Sequence, residues 1–79
     1  MKQGFRGVRR VIVANPNEGH EPLRGRTGIV ARKLISTPFE AWVEMDDPLP
    51  DELRRFSRGD RREKHVCLHS EECERADAE

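Results

Sequence analysis

Four short apolar runs constrain this chain more than any other feature: RRVIVA at Arg9–Ala14, GIVARKLI at Gly28–Ile35, EAWVEM at Glu40–Met45 and HVCLH at His65–His69. Each has the length of a strand, and β-branched residues dominate the first. Alternation sets their faces. Val11 and Val13 fall on one side of the first run and Ile12 on the other; Ala41, Val43 and Met45 oppose Trp42 and Glu44 in the third. Turn formers separate the runs, as in NPNEGHEP at Asn15–Pro22 and STPF at Ser36–Phe39. The pattern predicts antiparallel strands joined by loops.

The stretch DDPLPDELRRFSRGDRREK, Asp46–Lys64, interrupts the strands. Pro50 suits a first helical position, Asp51 and Glu52 suit a first turn, and Leu53 and Phe56 are spaced i, i+3. One or two helical turns are expected there, closed by a turn at Ser57–Asp60. Ser70 is the expected N-cap of a 3₁₀ turn, and ERA at Glu74–Ala76 a short last strand. The expected fold class is therefore mostly β: a small barrel of about five antiparallel strands with a long inserted loop carrying a short helical turn.

A chain of 79 residues allows one domain, expected over residues 7–76, with residues 1–6 and 77–79 as flexible tails. Charged residues make up 38% of it, yet the net charge is zero and the apolar residues cluster, so a folded core under a solvated shell is favoured over disorder. No apolar window approaches a membrane span or a signal peptide, and the two cysteines read as thiols. A cytoplasmic protein without a membrane partner is expected.

The run LRGRTGIV sets Gly25 and Gly28 in a Gly-x-x-Gly-x-Val pattern, after Leu23 and through Val30, and Val43-Glu44 follows in a strand rich in valine and acid. In this order the chain resembles the KOW-type SH3-like barrel. HVCLHSEECERA looks like the closing strand, 3₁₀ turn and short strand of the same fold, so the resemblance spans roughly residues 8–76. It implies a small barrel and a partner such as ribosomal RNA, other nucleic acid or a polymerase, although small barrels host many unrelated roles.

Zero net charge hides blocks of alternating sign. Residues 1–33 hold eight Lys/Arg and two Glu; residues 34–53 hold six acids and no base; residues 54–64 hold six bases and two acids; residues 65–79 hold one base and five acids. Within the first block, Arg24, Arg26, Arg32 and Lys33 flank the glycines, and Arg9 and Arg10 begin the first strand. If these six gather on one outward face, they form a site for a phosphate backbone. The glycines themselves read as fold. Gly25 suits a positive φ, and Gly28 a bulge or the close approach of another backbone. The even charge balance and the absence of Tyr tell against a broad nucleic-acid footprint or stacking platform. Trp42 and Phe39 are expected in the core before any ligand claims them.

A second reading is a protein–protein adaptor using the 46–63 loop, with Trp42, Leu53 and Phe56 as the contact residues, in a monomer or small homo-oligomer. His65, Cys67, His69 and Cys73 are weak metal candidates. Their spacing fits no zinc knuckle, and successive same-face positions on a strand lie about 6.5–7 Å apart. No metal or other cofactor is expected. Catalysis has little support, because the acidic cluster Asp46, Asp47, Asp51 and Glu52 reads as a solvated loop. A remote reading is a small oligomeric barrel enzyme of the type II dihydrofolate reductase kind. Those enzymes line a pore with a Val-Gln-Ile-Tyr strand, where this chain has Val66-Cys67-Leu68-His69 and lacks the Gln and the Tyr. The expected function is that of a non-enzymatic binding module.

Overall fold

Alternation in the third run decides which side of the sheet is inside. In the computed structural model, which describes residues 4–34, 36–54 and 63–76, Ala41, Val43 and Met45 are buried while Trp42 and Glu44 are exposed. The strands are β1 (Arg10–Val13), β2 (Thr27–Lys33), β3 (Glu40–Met45), β4 (His65–His69) and β5 (Cys73–Arg75). All pair antiparallel in one five-stranded sheet of order β4-β3-β2-β1-β5. The chain is thus mostly β, as its runs predict. The apolar face of this sheet carries the core, in which Val11, Val13, Val43, Met45 and Leu68 cluster.

Two glycines stand where a side chain would not fit the backbone. Gly25 has φ +79°, a left-handed conformation in which its amide donates to the Val13 carbonyl at 2.7 Å. Gly28 lies between Val11 and Met45 in the register. A Cβ there would stand 2.7 Å from the Glu44 carbonyl oxygen and 2.8 Å from Val43 Cγ1, so β2 and β3 approach too closely for any side chain. The bulge expected as one option at Gly28 falls instead between Val30 and Arg32.

Several local expectations are corrected. Phe5 is fully buried and its amide donates to the Pro38 carbonyl at 2.8 Å, so residues 4–6 are not a loose tail. Residues 1–3 and 77–79 lie outside the described residues. The loop after β1 contains a 3₁₀ helix, Glu18–Leu23, which buries Leu23 against the core. In the excursion a single turn, α1 (Asp51–Arg54), forms after Pro50, with the Leu53 amide donating to the Pro50 carbonyl at 2.9 Å. The cap of the late 3₁₀ turn is His69 rather than Ser70. Its side chain accepts from the Glu71 amide while Glu72 reaches back to the His69 amide. No helix among the described residues is long and apolar enough to cross a membrane.

Candidate interaction surface

The register that buries one face of β3 assembles the other. Arg10 stands opposite Ile29, Ile29 opposite Glu44, and Glu44 opposite His65; on the next rung Arg32 stands opposite Trp42, and Trp42 opposite Cys67. The bulge at Val30/Arg32 matters here. Strict alternation from outward Ile29 would turn Arg32 inward, and the extra residue, Ala31, returns it to the outward face beside Trp42.

Among the described residues, three large apolar side chains are left in solvent: Ile29 at 41%, Phe39 at 42% and Trp42 at 40% exposure. The expectation that the core claims Phe39 and Trp42 is therefore wrong. Trp42 alternates with three buried residues and is directed away from them, and Phe39 precedes β3 and stacks on the His69 ring with centroids 6.3 Å apart. Ile29 is outward for the same reason: its neighbour Gly28 is buried. Among the other proposed protein contacts, Leu53 packs against the core and Phe56 lies outside the described residues.

The six cations do not gather into one bare patch. Arg24 binds Glu21 through both guanidinium edges, at 2.7 and 3.1 Å, and reaches the Ala14 carbonyl at 3.3 Å. Arg26 donates to the Pro48 carbonyl at 3.2 Å, and Arg10 pairs with Asp46 at 2.7 Å. Arg24 and Arg26 sit at the end of β1, whereas Arg9, whose carbonyl accepts from Val30, sits with Arg10 at its start. Arg32 and Lys33 lie at the far end of β2. The six residue steps from Arg26 to Arg32 span on the order of 20 Å. Asp46, expected to be merely solvated, is held below the ordinary carboxylate range by the Thr27 hydroxyl and by Arg10, against a smaller opposing effect of burial.

The His/Cys set divides between the two faces. His65, Cys67 and His69 stand outward on β4, while Cys73 is buried in the core on β5. Among the described residues no group of three or more His, Cys, Asp or Glu stands so as to hold a metal ion. Both cysteines are free thiols. Burial pushes the Cys73 thiol up to about 12, helped by Glu72, and burial with Glu40 and Glu72 raises that of Cys67. Neither is primed as a nucleophile.

One polar cluster went unread in the sequence. The side chain of Glu72 is only 2% exposed, yet it accepts from the Asn17 amide at 2.9 Å, from the His69 amide at 2.9 Å and meets His20 Nδ1 at 2.7 Å. Burial pushes its carboxyl up, but the His69 and Asn17 amides and His20 outweigh this and hold it low. Its signal was a capping residue three positions before a Glu, masked because His69 rather than Ser70 does the capping. Compared with known protein families, with curated proteins and with solved structures, the chain matches none.

Proposed function

We propose that this protein is a non-enzymatic binding module, an SH3-like barrel of the KOW kind, whose outward sheet face binds another protein. The supporting observation is the exposure of Trp42 at the middle of that face, with Ile29 beside it and Phe39 at its edge. A Trp side chain presents some 150–250 Å², so about 100 Å² of indole remains open, and covering it contributes roughly 2 kcal/mol. Around it stand Arg10, Arg32, Glu40 and Glu44, charges of both signs. An apolar centre inside a mixed polar rim is the anatomy of a protein interface. A phosphate backbone would meet Glu40 and Glu44 on the same face.

Nucleic acid is the second reading, favoured by Arg32 on the rung of Trp42. Affinity capture from a cell extract separates the two, with wild-type protein and the Trp42→Lys variant as baits and with nuclease added. The protein reading expects a nuclease-resistant partner that the variant loses. Retention of RNA or DNA that falls steeply with salt and weakens in Arg32→Glu would replace it with the backbone reading. No capture by either bait would remove both.

A further inference from the structure

Four outward residues form a block on β2 and β3: Ile29 opposite Glu44 and Arg32 opposite Trp42, on successive outward rungs. All four are exposed. The two apolar residues occupy one diagonal of the block and the two opposite charges occupy the other. Among the described residues, neither the Arg32 guanidinium nor the Glu44 carboxylate is in an ion pair.

This pattern is complementary to itself. A twofold axis lying in the plane of the face, along the Ile29–Trp42 diagonal, sets Ile29 and Trp42 against the same residues of a second copy. The same rotation carries each Arg32 over Glu44 of the other copy. A partner of different sequence must present an apolar diagonal crossed by one cation and one anion; a second copy presents it by construction. Zero net charge adds no long-range repulsion between copies. We infer that the chain forms an isologous homodimer through the outward face of β2 and β3, closed by two Arg32–Glu44 pairs across the twofold axis. The inference rests on reading that face as a protein-binding surface and names its occupant.

Sedimentation equilibrium of the full chain tests it by charge exchange. Arg32→Glu alone sets acids against acids, and Glu44→Arg alone sets cations against cations. Each single variant is expected to weaken dimerisation about tenfold or more, because juxtaposed like charges are costly. An equimolar mixture of the two variants is expected to recover a one-to-one heterodimer, since every crossing contact is again between opposite signs. Trp42→Lys is expected to remain monomeric, with a folded far-ultraviolet spectrum. A mixture no tighter than the single variants overturns the inference, as does a dimer that survives Trp42→Lys. A wild-type chain that stays monomeric at every attainable concentration also overturns it. In that case capture of another protein that still depends on Trp42 leaves the protein-binding reading standing, and loss of that capture removes both.

Discussion

Glu72 and Trp42 occupy the places that their chemistry would assign to each other. The carboxylate is enclosed at the turn between β4 and β5, and the indole stands in solvent on β3. The difference lies in partners. Glu72 gathers the Asn17 and His69 amides and His20, from segments 55, 3 and 52 residues away, so a buried charge replaces its water with directed donors. Its own carbonyl accepts from Ala14 and Asn15, both at 3.0 Å, tying the loop after β1 to the same point. Trp42 has no such obligation to the fold. The first region ties the loop after β1 to the turn between β4 and β5, and the second is left uncovered.

Removing the carboxylate is the strongest way to break that contrast. Glu72→Ala strands two backbone amides and an imidazole inside the turn. The expected loss is about 3–5 kcal/mol, because two amides each lose a hydrogen bond to a charged group worth about 1.5–3 kcal/mol. At roughly 0.05–0.15 kcal/mol per residue, a chain of this size has only about 4–12 kcal/mol in total. Urea denaturation should show the midpoint falling in proportion to that loss, by a quarter or more of the wild-type value at about 12 kcal/mol and to buffer at about 4 kcal/mol. A loss under about 1 kcal/mol would mean that Glu72 is not a clamp, since even one charge-assisted hydrogen bond is worth more.

Acid sharpens the same point. The Glu72 carboxyl is lower in the folded chain than its ordinary value, so its contribution is fully present above the unfolded value near pH ~4.3. That contribution is lost as pH falls from there through the folded value. Glu72→Gln should start less stable and should lack this part of the acid limb. Urea midpoints from about pH 6 to pH 3 would show the two curves converging. Asp46 and Glu21, also held low, act alike in both chains and do not cause convergence. Parallel curves would assign the acid sensitivity to those exposed groups instead.

Gly28→Ala probes the seam between the two regions, because Gly28 faces the core while the backbone it presses on belongs to outward Glu44. The added methyl must displace Val43 or the Glu44 carbonyl. The expected cost is about 1–3 kcal/mol, typical of overpacking. Thermal melting should register it as a shift of about 4–8 °C per kcal/mol for a domain of this size.

Much of the inside is legible because it obeys period two: alternation groups Val11 with Val13, and Ala41 with Val43 and Met45, on common faces, and all five are buried. The helical turn at Asp51–Arg54 was legible from Pro50 and its following acids. The outside was harder. Trp42 was placed opposite the buried set by alternation, but its size and apolar character argued for the core, and register decided for the surface. Arg32 could not be placed, since a one-residue bulge reverses its face and nothing in VARKL marks the extra residue. The cations looked like a patch because sequence shows their number and not their acids: Glu21 lies three residues from Arg24, whereas Asp46 reaches Arg10 only through the fold.

The smallest expected effect completes the comparison. Trp42→Thr removes the largest side chain of the chain and keeps a good strand former in place. Its cross-strand contacts with Arg32 and Cys67 are worth about 0.2–1 kcal/mol each, and more than a third of the residue is already in water. The variant should therefore fall within about 1 kcal/mol of wild type in urea. Leu68→Ala, one strand away and fully buried, should lose about 2–5 kcal/mol in the same titration. If Trp42→Thr costs as much as Leu68→Ala, the indole is held by the barrel after all, and its exposure carries no argument for a partner. If it costs little while association disappears, then the largest apolar side chain is retained on the surface by what it binds.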